Sequence, residues 1–258
     1  IDERMIRKHR KDIIYASIAG FGFKGPYAKD AVYDPLIQAI SGLCTIQAGS
    51  DKEKPRLIRT IVPDKVSALT AAQAITAALL RRASTGEGQH IKLAMLDAIV
   101  SFMWNSDMGS QTFVEENIPQ QKAASFMDLV YETKDRYISV AVMSNKEWTS
   151  LALALDKPEW LEDQRFKTPA LRDKNIDARL KIIQKVLLKN TAKHWLKILK
   201  AAGVPCAPVL TRTEMLDNPQ IRSNQVIKTY EHPIAGTLRQ ARPPAVFSKT
   251  PSSIKSGA

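Results

Sequence analysis

Cysteine and histidine are scarce in this sequence, and neither is arranged as a metal site would require. The chain has two cysteines and four histidines. Cys44 and Cys206 lie far apart and form no CxxC pair, which argues against a zinc site and against a disulfide scaffold. The histidines show no HxxxH or HxH spacing. We therefore predict that the protein binds no metal and works in the cytoplasm, a reducing compartment.

Long apolar runs are missing as well. No stretch approaches the roughly 18 apolar residues that a membrane span requires, and the opening residues IDERMIRKHRKD lack the apolar centre of a signal peptide. We therefore expect no membrane association. The sequence opens without Met, in what reads as the last turns of a helix, so we expect it to be truncated at its N-terminus.

Charge of one sign dominates the composition. Lysine and arginine number 38 against 26 aspartates and glutamates, which gives a net charge of +12. Such a charge suits nucleic acid or an anionic small molecule. The basic residues are spread along the chain, apart from a cluster at Arg4–Lys11, and no RNP, zinc-finger or helix-turn-helix pattern accompanies them. We therefore predict no nucleic-acid partner. A non-catalytic, basic fragment that binds nucleic acid is kept as the alternative to an enzyme.

Common catalytic motifs are also absent, among them G-x-S-x-G and the P-loop. The best chemical candidate is Asp64, within the stretch Arg59–Met95. This stretch predicts a strand, then Pro63 and Asp64, then an alanine-rich helix, a glycine turn and a second strand. Asp64 could cap the helix as its N-cap residue, or it could line the ligand crevice that opens at the strand ends of an α/β sheet. Both interpretations stay open on local pattern.

Strands and helices alternate over the first 120 residues, which indicates an α/β fold with a parallel sheet. Beyond the connecting segment Ser106–Lys122, the pattern changes to a hairpin followed by several helices. We predict a large Rossmann-like α/β domain, incomplete at its N-terminus, over residues 1–124. A smaller α+β domain is predicted over 125–215, and a C-terminal segment over 216–258 is expected to return to the large domain.

A carboxylate at a strand–helix junction can attack an acyl group and form a mixed anhydride, provided that hydrogen-bond donors stabilise the oxyanion. Glycine amides of Gly20–Gly25 or of Gly86–Gly88 are two candidate sources of such donors. The first of these runs follows a predicted strand. Its glycines indicate a loop whose backbone closely approaches a neighbouring part of the protein or a ligand.

A series of motifs resembles the class III CoA-transferase family of the CaiB/BaiF type, which includes formyl-CoA and carnitine CoA-transferases. The motifs follow one another over about residues 10–250, and several in order are more specific than any one alone. They are Ile14–Tyr27 (IYASIAGFGFKGPY), Tyr33-Asp34 with Ser41–Leu43, Thr85–His90 with Leu96–Ala98, Thr133–Ile138, Ala202–Pro205, Asn218–Gln220 and His232–Gly236.

The resemblance implies an enzyme that moves coenzyme A from an acyl-CoA donor to a free carboxylic acid. The CoA thioester is then a substrate, and no tightly bound cofactor is expected. Asp64 matches the family's nucleophile, which forms an aspartyl anhydride and then an aspartyl-CoA thioester. Tyr33 matches an active-site tyrosine, and Asp34 matches an acidic residue beside it. The family fold combines a large α/β domain, a small domain and two chains interlinked as a homodimer.

We assign the contacts to CoA to Gly20, Gly22, Lys24 and Gly25. Two departures from the family pattern accompany this assignment. The N-terminal portion of the family, which supplies many CoA contacts, has no counterpart in this chain. Ala31 also stands where some relatives carry a CoA-contacting lysine, and we expect a nearby lysine to compensate.

The α-methylacyl-CoA racemase branch of the same superfamily is the alternative reading. That branch has a His-Asp pair where this chain has Tyr33-Asp34, and a Gly-Asp pair where it has Pro63-Asp64. A racemase needs a base and an acid on opposite faces of the α-carbon. Tyrosine in place of histidine at position 33 removes the better-suited base and favours the transferase.

Overall fold

The computed structural model describes residues 2–112, 114 and 129–254. It divides the chain into two units, Ile1–Asp128 and Leu129–Ala258. The predicted connecting segment Ser106–Lys122 lies mostly outside the described residues. The predicted return of residues 216–258 to the large domain stays a prediction.

Helices and strands alternate in the first unit. Its described elements are α1 (Glu3–His9), β1 (Tyr15–Ala19), α2 (Asp34–Ile40), α3 (Leu43–Ala48), α4 (Val62–Thr85), β2 (His90–Ala94), α5 (Met95–Asp107) and α6 (Gly109–Thr112). Strands β1 and β2 pair in parallel, with Ala19 opposite Ala94. The chain between them includes the long helix α4, so this unit has the crossover connection expected of an α/β fold.

Helix α4 is the longest element described, with 24 residues. Its buried face carries small side chains, including Ser67, Ala71 and Ala78. The helix ends at Gly86, whose φ of 75° lies in the left-handed region that glycine adopts without a steric cost. The sequence prediction of an alanine-rich helix that stops at a glycine is therefore confirmed.

The apolar core of the first unit joins the elements that surround the carboxyl ends of β1 and β2. Its fully buried members come from α2, α3 and α5, and partly buried residues from the loop after β1 and from the start of α4 pack against them. They are Ile37, Leu43, Ile99 and Met103, with Phe21, Val32, Ile46, Ile58, Val62, Val66, Met95 and Leu96 around them. The beginnings of four helices, α2, α3, α4 and α5, thus pack around one cluster.

The second unit combines antiparallel strands with short helices. Its described elements are β3 (Val130–Glu132), β4 (Tyr137–Val140), α7 (Asn145–Ala154), a 3-10 turn (Pro158–Leu161), α8 (Pro169–Lys174), α9 (Ile176–Leu187), α10 (Ala192–Ala201), β5 (Cys206–Pro208), α11 (Arg212–Asp217), α12 (Pro219–Ser223), β6 (Ile227–His232) and β7 (Gly236–Ala241). The strands form an antiparallel sheet in the order β3-β4-β5 and a hairpin of β6 and β7. The predicted β3–β4 hairpin is confirmed.

An aromatic core stabilises the second unit. The rings of Trp148 and Trp160 stack with their centroids 6.0 Å apart, and Phe166 packs 5.6 Å from Trp148. The buried guanidinium of Arg172 lies 5.7 Å from the ring centre of Trp148 and donates a hydrogen bond to the Phe166 carbonyl oxygen at 2.9 Å. The electrostatic attraction between a cation and the face of an aromatic ring helps to stabilise this buried guanidinium.

Candidate functional site

The loop that follows β1 packs directly against the residues before α2. A side chain at Gly20 would place its Cβ 2.3 Å from Val32 Cγ1, so only glycine fits there. The carbonyl oxygen of Gly20 also accepts a hydrogen bond from the Leu96 amide at 3.1 Å, at the start of α5. Gly20 is therefore explained by close packing at the carboxyl edge of the strands, and its assigned contact with CoA stays a prediction.

Of the other predicted loop residues, Gly22 is half-buried, and Lys24 and Gly25 are exposed. Gly22 and Gly25 have φ values of 141° and 93°, which L-amino acids with side chains rarely adopt. Lys24 between them is exposed. Lys92 of β2 lies beside the same loop, with its Nζ 5.7 Å from the centre of the Phe23 ring. Lys92 is a second cation at this loop, and the sequence analysis did not single it out.

Tyr33 and Asp34 occupy the start of α2 and differ sharply in exposure. Tyr33 is the N-cap residue, and it is 77% exposed. Asp34, the next residue, is 5% exposed. Its Oδ1 accepts a hydrogen bond from Gln38 Nε2 at 2.6 Å, and its Oδ2 accepts one from the Asp64 amide at 3.3 Å. This second bond joins Asp34 to the main chain of Asp64, and Tyr33 directly precedes Asp34.

Asp64 is the third residue of α4 and is exposed. The prediction that it is the N-cap is wrong, because the helix begins at Val62 and its N-cap is Ile61. Proline suits the first turn of a helix, since it has no amide that needs a partner there. Helix α4 therefore starts before Pro63, and Asp64 falls one turn too late to cap it. The carboxylate instead lies in the first turn, where the helix dipole favours negative charge.

The strand predicted before Asp64 is also wrong, since the described residues between α3 and α4 form no strand. The side chain of Gln38 makes the hydrogen bonds that a neighbouring strand would otherwise supply. Its Oε1 accepts from the Ile58 amide at 2.9 Å, and its Nε2 lies 3.3 Å from the carbonyl oxygen of Ile58 and 3.4 Å from that of Thr60. Backbone polar groups need such partners when they leave water.

Gln38 was not singled out by the sequence analysis, although it is only 2% exposed. It follows Asp34 by four residues, the spacing that brings two side chains together on one helix face. A polar pair at this spacing within an otherwise apolar helix was the available signal. The partners in the Ile58–Thr60 segment gave no signal, because they lie about twenty residues further along the chain.

One of the two candidate sources of oxyanion donors can now be rejected. Gly86–Gly88 lies at the far end of α4, and a rise of 1.5 Å per residue over the intervening 22 residues places Gly86 about 33 Å from Asp64. The Gly86 amide already donates to the Arg82 carbonyl oxygen at 2.8 Å. The prediction for Gly86–Gly88 is therefore wrong, and Gly20–Gly25 stays as the candidate source.

Both thiols of the chain are poor nucleophiles in this structure. Burial raises the pKa of Cys44 and, against the weaker opposite effect of Lys200, the pKa of Cys206. A raised pKa leaves less of the reactive thiolate at neutral pH. The Asp64 carboxylate, by contrast, is exposed to solvent in the first turn of α4.

Neither a cluster of metal ligands nor a membrane-spanning helix is found in the part of the chain that the structure describes. Among the residues that the structure describes, no group of three or more His, Cys, Asp or Glu side chains could hold a metal ion. Over the same residues, no helix is both long and apolar enough to cross a membrane.

The fold and the site define a class of protein: an α/β unit followed by an α+β unit, with an exposed carboxylate in the first turn of a crossover helix. A sequence model described as CoA-transferase family III matches residues 1–258. The chain belongs to this family, and the predicted α/β fold is confirmed.

Curated relatives are 28–29% identical to this chain over the aligned residues. Succinyl-CoA:glutarate CoA-transferase of Homo sapiens is 28% identical over 241 residues, covering 92% of this chain and 54% of the human protein. Acetyl-CoA:oxalate CoA-transferase of Acetobacter aceti is 29% identical over 224 residues, which cover 84% of this chain and 57% of that protein. The chain thus spans somewhat more than half the length of these relatives.

A solved structure has a similar fold. The crystal structure of a CaiB/BaiF family protein from Brucella suis superposes with a TM-score of 0.80 at 26% identity, over 99% of this chain and 67% of that one.

Proposed function

We propose that the protein transfers coenzyme A from an acyl-CoA donor to a free carboxylic acid, with Asp64 as the nucleophile. The observation that carries the proposal is the exposed Asp64 carboxylate in the first turn of α4, next to Tyr33 and Asp34. Family membership over the whole chain supports the same chemistry.

The proposed reaction has two symmetric halves. A carboxylate oxygen of Asp64 attacks the thioester carbonyl carbon, the C–S bond breaks, and CoA leaves as its thiolate with a mixed anhydride left on Asp64. The thiolate then attacks the Asp64 carbonyl carbon, which releases the donor's acid and forms an aspartyl-CoA thioester. The acceptor carboxylate repeats the sequence in reverse and leaves as its CoA thioester, so that Asp64 is regenerated.

The surrounding residues have separate roles in this proposal. The exposed Tyr33 hydroxyl donates a hydrogen bond to the carbonyl oxygen on which negative charge develops, as backbone amides of the Gly20–Gly25 loop also do. Lys24 and Lys92 provide positive charge beside that loop for the phosphates of CoA. Asp34 is buried and acts on Asp64 rather than on the substrate.

The relatives suggest the kind of acceptor. The names of the human and Acetobacter aceti relatives include glutarate and oxalate, which are both dicarboxylic acids. We extend this to the present chain and expect a short dicarboxylic acid as acceptor. We further propose that the protein acts in the cytoplasm as an interlinked homodimer. A mass measurement in solution would test whether it is a dimer.

The purified protein should be assayed with succinyl-, acetyl- and oxalyl-CoA against glutarate and oxalate. We expect CoA transfer for at least one pair, and a loss of about a thousandfold or more in Asp64→Ala. Asp97→Ala is the matched control, because Asp97 is likewise an exposed carboxylate at the third position of a helix, α5. If Asp64→Ala transfers CoA as fast as Asp97→Ala and the wild type do, the assignment of Asp64 as the nucleophile is refuted.

The racemase alternative is tested in the same preparation. Incubation of a 2-methylacyl-CoA in deuterated water would label the α-carbon if the protein abstracts that proton. We expect no label, and deuterium incorporation without CoA transfer would replace the proposed function by the racemase.

A further inference from the structure

Helix α2 buries its two polar side chains together with Ile37, and leaves two of its large apolar side chains largely exposed. Asp34 and Gln38 are 5% and 2% exposed, whereas Leu36 and Ile40 of the same helix are 46% and 43% exposed. Burial of an amide and a carboxylate costs free energy unless both are hydrogen-bonded. These two polar side chains can be buried because each of them has hydrogen-bond partners, and those partners lie in the site.

The Gln38 side chain connects two parts of the site. Its Nε2 donates to Asp34 Oδ1 at 2.6 Å, while its Oε1 accepts from the Ile58 amide at 2.9 Å. The same Nε2 lies within 3.4 Å of two carbonyl oxygens in the segment that leads into α4. One side-chain amide thus fixes the distance between the start of α2 and the chain that precedes Asp64.

Asp34 completes the connection to the proposed nucleophile. The amide of Asp64 is one of the first four of α4, which have no acceptor within the helix. Asp34 Oδ2 accepts its hydrogen bond at 3.3 Å. Neighbouring amides of this turn are paired locally, since Val62 donates to the Thr60 carbonyl oxygen and Lys65 to that of Ile61. The position of the Asp64 main chain therefore depends on Asp34, and Asp34 is held by Gln38.

We infer that Gln38 is a positioning residue for the transfer reaction: through Asp34 it sets where the Asp64 carboxylate meets the thioester. This inference rests on the proposed function of Asp64. Reacting groups must be held close to their productive geometry, and a displacement of about 1 Å can cost about a hundredfold in rate. A fully hydrogen-bonded buried pair provides that restraint.

The first test replaces Gln38 by methionine, which keeps the length of the side chain and removes its amide. We expect kcat to fall by about tenfold to a hundredfold with KM nearly unchanged, since CoA binding does not use Gln38. Gln184→Met is the matched control. The Gln184 amide clamps Glu132 in the second unit, accepting from its N–H at 3.0 Å and donating to its carbonyl oxygen at 2.8 Å. We expect this control to keep the wild-type kcat.

The second test exchanges the two groups. Gln38→Glu places a second buried carboxylate against Asp34 and should lower kcat further than Gln38→Met. In the double variant Asp34→Asn/Gln38→Glu the amide and the carboxylate change places. The side-chain amide at position 34 can then donate to the carboxylate at position 38, while its oxygen still accepts a hydrogen bond from the backbone N–H of Asp64. We expect the double variant to be at least about tenfold more active than Gln38→Glu, a rescue specific to this hydrogen bond.

Amide hydrogen exchange supplies a readout that does not depend on activity. In Gln38→Met we expect faster exchange over residues 58–65, and in Gln184→Met wild-type exchange there. If the wild-type protein transfers no CoA, the proposed function fails. Amide exchange over residues 58–65 then still tests whether Gln38 holds this segment in place. Unchanged exchange in Gln38→Met, or an unchanged kcat in an active enzyme, would overturn the inference.

Discussion

Gly20→Ala tests whether packing or ligand binding requires glycine at the start of the loop. The added Cβ would lie 2.3 Å from Val32 Cγ1 and 2.7 Å from both Val32 Cβ and Cγ2. Carbon atoms in contact lie about 3.5–4.0 Å apart, so the overlap exceeds about 1 Å at the closest atom. A rotation of the Val32 side chain cannot move its Cβ, so the main chain must shift. We expect a loss of about 1–3 kcal/mol in the free energy of unfolding.

Thiol labelling in urea can report this loss for the first unit. Cys44 is buried there, 7% exposed, and Cys206 lies in the second unit. Labelling of Cys44 should begin at lower urea in Gly20→Ala than in the wild type. Val32→Ala removes two of the three clashing atoms, so the double variant should recover part of the loss. Gly109→Ala is the control, because a Cβ at Gly109 meets no atom within 4 Å.

The outcome separates the two explanations of this glycine. If Gly20→Ala protects Cys44 as well as the wild type does, the packing argument is refuted. If the loss occurs but Val32→Ala does not relieve it, the clash with Val32 is not its cause.

Two further predictions concern the second unit. Leu151→Ala should lower the free energy of unfolding by about 2–5 kcal/mol because Leu151 is fully buried, whereas Leu153→Ala on the exposed face of α7 should change it by less than about 0.5 kcal/mol; chemical denaturation measures both. Hydrogen bonds from the amides of Ser144 and Met143 lower the pKa of Glu147. Its stabilising effect is therefore complete above the unfolded-state pKa and lost as the pH falls through the folded-state value. Glu147→Gln should destabilise the protein at about pH 7 and have little effect at about pH 2.5; equal effects at both would contradict the hydrogen-bonding account.

Locally encoded features were predictable from the sequence. Helix α4 was recognised from its alanine-rich apolar periodicity and from the stop at Gly86, and the β3–β4 hairpin from two strands around a short polar turn. In each case the residues that decide the structure lie within a few positions of one another. Family motifs pointed to Tyr33 and Asp34 as site residues, and their roles in the reaction stay predictions.

Features that depend on distant partners were mispredicted. Asp64 follows a proline and precedes a helix, which is the local pattern of an N-cap, yet the carboxylate that accepts a hydrogen bond from this turn belongs to Asp34, thirty residues earlier. The strand expected before Asp64 is replaced by a segment without regular secondary structure, whose backbone forms hydrogen bonds with Gln38. Periodicity carries no information about such pairings, because they form only when the core brings α2 beside α4.

The most direct test of the central claim is to trap the covalent intermediate on Asp64. The protein is incubated with an active acyl-CoA donor and hydroxylamine, which converts an aspartyl anhydride or thioester to a hydroxamate, and the modified peptide is identified by mass spectrometry. The account predicts a hydroxamate on Asp64 that depends on the donor and is not formed on Asp97. A protein that transfers CoA with no modification of Asp64, or with the modification on another residue, would contradict it.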